Sequence, residues 1–261
     1  MAAGMARAGL KPVVCIYSTF LQRAFDQIMQ DVCLNELPVV FALDRAGVVG
    51  QDGKTHHGLY DLAYMRIPPG MTVAVPKDEN EMRNLLWTAL HESKPWSIRF
   101  PRGEVFGVPL DEEMRLISTG TAEVIREGKW ICLAAVGEAV YAALDAAKEL
   151  EQYDLKPQVV NVRFIKPIDE ALVEELLDNF SLVWVIEEGT SVGGAASALL
   201  EAITQAKERR HKRKDDILRV FSISVGDTFP DHGEIPELRE RFGLDMHSIV
   251  QRVINNMTGG E

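Results

Sequence analysis

The chain has 261 residues, long enough for two domains that each bury a core. Its net charge of -11 argues against a nucleic-acid-binding protein, because phosphate recognition requires a basic face. An apolar share of 46% and a charged share of 26% are typical of a soluble globular protein. No apolar run reaches the roughly 18 residues that would span a membrane, so we expect no membrane partner.

The first half of the chain alternates short apolar strands with amphipathic helices. Its opening residues lack the pattern of a secretion signal and indicate the tail of a helix that ends at Gly9 and Pro12. The predicted elements that follow are a strand at Val13–Ile16, a helix at Thr19–Cys33, a strand at Val39–Leu43, a strand at Met71–Val75, a helix at Asp78–Leu90 and a strand at Trp96–Phe100. Asp78 is a plausible helix cap, with Glu81 three residues later.

The same alternation restarts in the second half. The predicted elements are a strand at Trp130–Ala135, a helix at Glu138–Leu150, a strand at Gln158–Val162, a helix at Glu170–Leu177, a strand at Leu182–Ile186, a helix from Gly193 and Gly194 through Ala206, a strand at Ile217–Ile223, and helices at Pro236–Phe242 and Asp245–Ile254. Such alternation is typical of parallel strands joined by crossover helices. We therefore predict an α/β protein of two domains, each a mostly parallel sheet flanked by helices, at residues 1–107 and 121–261, with a linker at 108–120.

The segment FALDRAGVVGQDGKTHHG at residues 41–58 differs from ordinary core or surface sequence. It follows a continuous apolar strand, so its polar residues should lie at the carboxyl end of that strand, where open α/β sheets bind ligands. Asp44, Arg45, Asp52 and His56 are thereby placed for chemistry. The alternative is a long surface loop with incidental polar residues.

Arginines follow two strands, at Arg45 and Arg102, and Arg23 lies near the start of the first long helix. Three guanidinium groups at one sheet edge would form a clamp for a phosphate or carboxylate. Each arginine taken alone is more simply explained by pairing with a structural acid. Asp52 and His56 could transfer protons or orient hydroxyl groups.

Other polar features favour structural explanations. A metal site at His56 and His57 is disfavoured, because adjacent histidines diverge and no third ligand has suitable spacing. Phe20, beside Tyr17, is by its spacing alone a core residue. Glu187 and Glu188 follow a strand, with surface placement as the default. The basic run KERRHKRK at residues 207–214 is typical of a solvated helix end.

The three cysteines also indicate a structural role. Cys15, Cys33 and Cys132 lie far apart in apolar settings without a paired motif. We expect buried free thiols in a reducing cytoplasm.

Five segments together resemble the 1-deoxy-D-xylulose-5-phosphate synthase family, which belongs to the transketolase group of thiamine-diphosphate enzymes. The resemblance covers nearly the whole chain, and the first two motifs in series are specific to that family. The segments are YSTFLQRAFDQ at 17–27, DRAGVVGQDGKTHHG at 44–58, FPRG at 100–103, RFIKPID at 163–169 and EEGTSVGGAASALL at 187–200.

This resemblance implies condensation of pyruvate with glyceraldehyde 3-phosphate and loss of CO₂, a step that feeds isoprenoid, thiamine and pyridoxal synthesis. It implies an incomplete pyrimidine-binding domain followed by a transketolase C-terminal domain, in a homo-oligomer. By the family pattern, Phe20 would stack on the aminopyrimidine ring of thiamine diphosphate. The reacting carbons would face Tyr17, Asp52 and His56, and the acceptor phosphate would be held by Arg45 and Arg102, with Arg23 beside them.

The chain also departs from the family pattern. The family's thiamine-activating glutamate, and the amino-terminal domain that binds Mg²⁺ and the diphosphate, have no counterpart in this sequence. The resemblance therefore predicts a carboxyl-terminal portion that is inactive alone and needs a missing amino-terminal domain or a separate subunit. Two alternatives stay open: a β-like subunit of a two-chain thiamine enzyme, and a non-catalytic interaction module.

Overall fold

A computed structural model of the protein describes residues 1–210 and 218–258. The first half forms helices and strands in alternation. They are α1 (Ala2–Arg7), β1 (Val13–Tyr17), α2 (Ser18–Leu21), α3 (Phe25–Gln27), β2 (Val40–Ala46), α4 (Asp61–Arg66), β3 (Thr72–Ala74), α5 (Glu79–His91) and β4 (Trp96–Pro101).

The second half continues the alternation. Its elements are β5 (Glu123–Arg126), β6 (Trp130–Ala135), α6 (Ala139–Leu150), β7 (Gln158–Asn161), β8 (Phe164–Lys166), α7 (Glu170–Asn179), β9 (Phe180–Ile186), α8 (Ala195–Arg209), β10 (Arg219–Ile223), α9 (Ile235–Phe242) and α10 (Met246–Thr258). Ile217, which the sequence places in the last strand, lies outside the described residues.

Two five-stranded sheets organise the described chain. The first has the order β1-β2-β4-β3-β8, and the second has the order β10-β9-β6-β7-β5. Every pairing is parallel except β3 with β8 and β5 with β7. Apolar residues of the central strands are buried on both faces, as expected when helices cover both sides of a parallel sheet. The predicted fold of two mostly parallel sheets flanked by helices is confirmed.

The first long helix departs from its predicted form. The stretch predicted as one helix, Thr19–Cys33, is divided into α2, a 3₁₀ turn at Gln22–Ala24, α3 and a π-helical segment at Ile28–Cys33. In the second half of this stretch the apolar side chains still face the core, since Ile28 and Val32 are buried, whereas Phe20 near its start is exposed. The hydrophobic period therefore predicted the buried face from Ile28 onward, but neither the exposure of Phe20 nor the irregularity of the helix.

Strand β8 connects the two halves of the chain. Residues of the second half form this strand, which pairs antiparallel with β3 of the first sheet through Phe164 opposite Ala74. Its three residues are too few to show a period in the sequence, and neither β8 nor α4 nor β5 was predicted. The first sheet is thus completed by a strand that follows residues 108–120 in the chain.

Residues 108–120 contain no helix or strand and run along α5. Polar side chains of α5 hold this segment: Asn84 Oδ1 accepts from the Arg115 amide at 2.9 Å, and Thr88 Oγ1 accepts from the Ile117 amide at 2.9 Å. The predicted cap of α5 is present, since Asp78 Oδ1 accepts from the Glu81 amide at 2.8 Å. The bonds from Arg115 and Ile117 hold residues 108–120 beside α5.

The basic run predicted at a helix end lies partly at the end of α8. Within it, Arg210 pairs with Asp178 at 2.7 Å, and residues 211–214 lie outside the described residues. Across residues 1–210 and 218–258, no helix is both long and apolar enough to cross a membrane.

Candidate functional site

The candidate residues lie at the carboxyl-terminal edge of the first sheet. Tyr17 ends β1, Arg45 is near the end of β2, and Arg102 directly follows β4. These three strands are neighbours in the parallel part of the sheet, so their ends meet at one rim. Such a rim is where open α/β sheets bind ligands.

Strand β2 is irregular where it carries its charged residues. Its pairing with β4 shifts register between Leu43 and Ala46, and Arg45 has a φ of 56°. A left-handed backbone at a residue other than glycine costs free energy, of order 1–3 kcal/mol, and such residues cluster at functional sites. A bulge also re-aims the side chains of a strand. The irregularity turns Arg45 across the rim toward Tyr17.

Aromatic rings form one side of the site. Tyr17 and Phe20 are stacked with centroids 5.0 Å apart, and His56 meets the Phe20 ring edge-on at 5.5 Å. The Arg23 guanidinium lies 5.8 Å from the Phe20 centroid. Phe20 is 38% exposed, so the core position that its spacing alone predicted is wrong. Short helix α2 begins directly after β1, which keeps the ring at the rim.

Charged side chains form the other side. The Arg45 guanidinium lies 3.9 Å from the Tyr17 ring centroid, pairs with Asp44 at 2.8 Å and has Nε 3.7 Å from Asp52. Arg102 donates to Asp52 at 2.7 Å and to the Val49 carbonyl at 3.1 Å.

All seven predicted site residues therefore belong to one contact cluster. Two of the arginines, Arg45 and Arg102, meet at Asp52. The third, Arg23, contacts the cluster through the Phe20 ring.

An open cavity of about 440 Å³ adjoins the two arginines that share Asp52. Its lining includes basic, acidic and apolar residues: Arg45, Lys77, Arg102, Asp44, Asp78, Glu79, Glu104, Glu138, Met82, Phe100 and Phe106. A larger cavity, of about 740 Å³, lies around Trp130 and Phe180 of the second sheet and contains none of the candidate residues. Because the smaller cavity is lined by the candidate residues Arg45 and Arg102, it is the better candidate for a ligand.

A buried ion pair supports the rim from below. Arg99 donates to Asp61 at 3.0 Å, and its other donors reach the carbonyls of Gly58 and Glu188 at 3.1 and 3.0 Å. The Arg99 and Asp61 side chains are 5% and 0% exposed. Sequence reasoning missed both residues, because Arg99 lies inside an apolar strand and its partner is 38 residues away.

The surface placement predicted for Glu187 and Glu188 is wrong. Glu187 is fully buried, and its carboxylate accepts from the amides of Ala195 and Ala196 at the start of α8, at 2.7 and 2.9 Å. Burial raises the pKa of Glu187, while those two amide bonds act in the opposite direction. The helix amino terminus is therefore filled by a carboxylate of the chain itself.

Glu188 connects the second domain to the first. One carboxylate oxygen accepts from the Val48 amide at 3.2 Å, and the other accepts from Arg239 at 2.5 Å. Arg239 also donates to Glu138 at 2.6 Å. The two ion pairs of Arg239 and the hydrogen bond from Val48 together fix the start of the loop that carries Asp52.

The cysteines are free, as predicted, but they are not all buried. Cys33 and Cys132 are buried, and burial raises the pKa of the Cys33 thiol to about 11. Cys15 is exposed, because β1 is an edge strand of the first sheet. The expectation of a buried thiol at Cys15 is therefore wrong. In the part of the chain that the structure describes, no group of three or more acidic, histidine or cysteine side chains could hold a metal ion.

Comparison with known proteins identifies the family. Residues 1–107 match the family model of the transketolase pyrimidine binding domain, and residues 120–249 match that of the transketolase C-terminal domain. A solved structure described as a split gene transketolase, inactive beta4 tetramer, superposes on 98% of this chain with a TM-score of 0.83. The two are 31% identical, and this chain covers 79% of that one. The chain belongs to the transketolase family.

More specific relatives are named 1-deoxy-D-xylulose-5-phosphate synthase. The protein of Dictyoglomus thermophilum is 43% identical over 97% of this chain, and that of Aquifex aeolicus is 44% identical over 99%. This transketolase-family chain spans 40% of the length of each. Transketolase from Campylobacter jejuni, at 20% identity, superposes on 97% of this chain, with 37% of its own chain covered and a TM-score of 0.74, and shares the fold. The predicted resemblance and enzyme class are confirmed.

Proposed function

We propose that this chain is the carboxyl-terminal part of a 1-deoxy-D-xylulose-5-phosphate synthase, which condenses pyruvate with glyceraldehyde 3-phosphate and releases CO₂. The observation that carries the proposal is the single contact cluster formed by Tyr17, Phe20, Arg45, Asp52, His56 and Arg102, with Arg23 at its margin. In this proposal the cluster binds the phosphorylated aldehyde and the pyrimidine end of the cofactor. The relatives named 1-deoxy-D-xylulose-5-phosphate synthase support this proposal.

Arg45 and Arg102 are the proposed ligands of the acceptor phosphate. Guanidinium groups bind phosphate with two parallel hydrogen bonds. Arg45 Nε is buried and has no hydrogen-bond partner in the described part of the chain, so the site holds a donor that an anion could satisfy. Both arginines contact Asp52, which means that the phosphate must compete with this carboxylate.

His56 and Asp52 are the proposed polar groups beside the reacting carbons, together with the Tyr17 hydroxyl. The Nδ1 of His56 lies 2.9 Å from Thr55 Oγ1, an interaction that orients the ring. A histidine at the rim can donate to the developing oxyanion of an aldehyde carbonyl. Tyr17 lies between the Phe20 ring and Arg45, which orders it for contact with the substrate.

The residues around Phe20 fit the pyrimidine end of thiamine diphosphate. The ring of Phe20 is partly exposed, and the neighbouring hydroxyls of Ser18 and Thr19 are buried without hydrogen-bond partners among the described residues. An aromatic platform flanked by unsatisfied polar groups suits a flat heterocycle with ring nitrogens. When bound, thiamine diphosphate supplies the chemistry that transfers the two-carbon donor fragment.

The remaining requirements of the reaction lie outside this chain in our proposal. The activating glutamate and the ligands of Mg²⁺ and the diphosphate would come from an amino-terminal domain or a separate subunit, and the assembly would be a cytoplasmic homo-oligomer. The isolated chain is then expected to make no deoxyxylulose phosphate. The boundaries proposed for this part are a partial pyrimidine-binding domain at 1–107 and a C-terminal domain at 121–261.

A second candidate is the β-like subunit of a two-chain thiamine enzyme. The observation that favours it is the similarity, over 79% of that chain, to a structure described as a split gene transketolase, inactive beta4 tetramer. In both candidates the same rim binds substrate, and they differ in whether the other half is covalently attached.

A chimeric enzyme tests the proposal. Replacement of the matching 254-residue region of the Dictyoglomus thermophilum relative by this chain joins it to the rest of that relative, of whose length it spans 40%. We expect the chimera to form deoxyxylulose phosphate from pyruvate and glyceraldehyde 3-phosphate, and the chain alone to form none. An inactive, folded chimera would support the non-catalytic module. Activity when the two halves are mixed as separate chains would favour the two-chain enzyme.

A further inference from the structure

The loop that carries Asp52 and His56 is closed at its base. We call residues 47–58 the site loop. Gly47 and Gly58 exchange two backbone hydrogen bonds of 2.7 Å each, which bring its ends together. The base is shaped for glycine, because a side chain at Gly47 would collide with the Glu188 carboxylate. Closure of the base leaves the centre of the loop to be held by other contacts.

His57 holds that centre from within the protein. Its ring is 2% exposed. Nδ1 accepts a hydrogen bond from the Val49 amide at 3.0 Å, and Nε2 lies 3.1 Å from the Asp231 carbonyl, to which it donates. Because an amide donates and a carbonyl accepts, only the neutral ring with its proton on Nε2 satisfies both partners.

A segment of the second domain meets the loop at the same place. We call residues 231–234 the strap. The Gly233 amide donates to the Gly50 carbonyl at 3.3 Å, and the Asp231 carboxylate pairs with Lys54 at 2.8 Å. A Cβ atom at Gly53 would touch the His232 side chain, so the two segments pack closely.

We propose that His57 is a positioning residue, which pins the site loop to the strap and so holds Asp52 against Arg102 and His56 against Phe20. This inference rests on the proposed function, since it concerns the same site. Few contacts separate His57 from the site residues. His57 is adjacent to His56 in the chain, and it accepts a hydrogen bond from the amide of Val49, whose carbonyl in turn accepts one from Arg102. The second domain thereby shapes a site that lies on the first sheet.

The charges around His57 determine when its ring is neutral. Burial lowers the pKa of His57 from its usual value of about 6.5, while the Asp231 carbonyl and the carboxylates of Glu188 and Asp52 raise it and His56 lowers it. The net direction is downward. The Lys54 ion pair with Asp231 offsets part of the nearby negative charge.

Protonation of His57 would break its contact with the loop. An imidazolium carries a proton on both nitrogens, so Nδ1 could no longer accept from the Val49 amide. The pKa of His57 is lower in the folded protein than in the unfolded chain. The stability that the neutral ring contributes is therefore fully present above about pH 6.5. It is lost as the pH falls from there through the folded pKa.

The first experiment measures the loop in this chain alone. Amide hydrogen exchange of Val49, expressed as a protection factor, is compared at pH 7.5 for the wild type, His57→Gln and His57→Leu. Glutamine is neutral and can supply one acceptor and one donor, so we expect protection within about threefold of wild type. Leucine supplies neither, and we expect the Val49 protection factor to fall at least tenfold. His91→Gln, at an exposed histidine of α5, is the matched control.

The wild type provides a test that needs no folded variant. The titration of the His57 ring is monitored by its NMR chemical shifts as the pH is lowered. Over that titration the protection factor of the Val49 amide should fall, whereas the protection factor of the Leu133 amide in β6 should stay constant. Constant Val49 protection through the titration of His57 would overturn the proposal. Equal Val49 protection in His57→Leu and wild type would do the same.

The second experiment separates positioning from mere stability. In the chimeric enzyme at pH 7.5, His57→Leu should lower kcat/KM for glyceraldehyde 3-phosphate at least tenfold with an unchanged KM for pyruvate, and His57→Gln should restore it to within about threefold. A loosened Val49 with wild-type kinetics would refute the positioning role. If the wild-type chimera is inactive, the proposed function fails, while Val49 exchange still decides the role of His57.

Discussion

The carboxylate of Asp52 accepts a hydrogen bond of 2.7 Å from the guanidinium of Arg102. The same carboxylate oxygen lies 3.7 Å from Arg45 Nε, so one acid occupies the space between the two proposed phosphate ligands. Their side chains are 23–42% exposed, which keeps the group accessible to a ligand from solution. In the proposed function, a phosphate must therefore displace Asp52 from the two arginines.

Asp52→Asn should strengthen the binding of inorganic phosphate to the chain. The substitution removes a competing negative charge at a partly exposed site, an effect of about 1 kcal/mol or about fivefold in Kd. Isothermal titration calorimetry measures it. Asp145→Asn, which makes the same charge change at a carboxylate paired with Lys148 on α6, is the control and should leave Kd unchanged. Weaker phosphate binding by Asp52→Asn would contradict the competition.

Arg102→Ala in the chimeric enzyme should weaken the phosphorylated acceptor selectively. Charged hydrogen bonds to phosphate are worth about 1.5–3 kcal/mol each, so we expect the KM for glyceraldehyde 3-phosphate to rise about 10- to 100-fold. Steady-state kinetics with each substrate varied in turn should show a KM for pyruvate within about twofold of wild type. Arg102→Lys keeps the charge without the fork and should be intermediate. Equal effects on both substrates would remove Arg102 from the phosphate site.

Phe20→Ala in the chimeric enzyme should weaken the binding of thiamine diphosphate. Loss of an aromatic stacking partner costs about 1–2 kcal/mol, which corresponds to roughly a five- to thirtyfold higher Kd. Titration of the apoenzyme with the cofactor, followed by protein fluorescence, gives this value. Phe229→Ala removes another exposed ring, one that contacts Tyr60, and should have no effect on the cofactor. An unchanged Kd in Phe20→Ala would exclude the stacking role.

Arg99→Met should destabilise the chain strongly. It leaves the fully buried Asp61 without its cationic partner, and loss of one member of a buried ion pair costs about 3–5 kcal/mol. Urea unfolding followed by circular dichroism measures the free energy of unfolding. The double variant Arg99→Met with Asp61→Leu should recover part of the loss, because no buried charge remains. Arg209→Met, at an exposed arginine 3.4 Å from Glu170, should cost less than about 1 kcal/mol.

Most of the fold could be predicted from local sequence. Central strands such as Trp130–Ala135 are continuous apolar runs. Helix α5 could be predicted because its apolar period and its Asp78 cap depend only on residues close together in the sequence. Strand β8 could not be predicted, since its identity depends on pairing with β3, about 90 residues earlier in the chain. Burial of Glu187 likewise depends on the amides of α8 that receive its carboxylate.

The candidate site was predictable to a different degree for each of its residues. Tyr17, Arg45 and Arg102 could be placed together because each stands at the end of a parallel strand, and such ends share one edge of the sheet. The position of Phe20 at the rim needed the family resemblance, since its spacing alone indicated the core. His57 could not be recognised, because its Nε2 partner is 174 residues away.

The sequence by itself determined the alternation of strands and helices, the free thiols and the strand ends at which charged residues gather. These features depend on hydrophobic period and on residues close together in the chain. Only the tertiary structure decided that Asp52 is shared by two arginines, that Arg99 is a buried ion-pair partner and that the strap holds His57. The physical reason is that a polar side chain adopts its role from the partner that satisfies it, and these partners are brought close only when both sheets have formed.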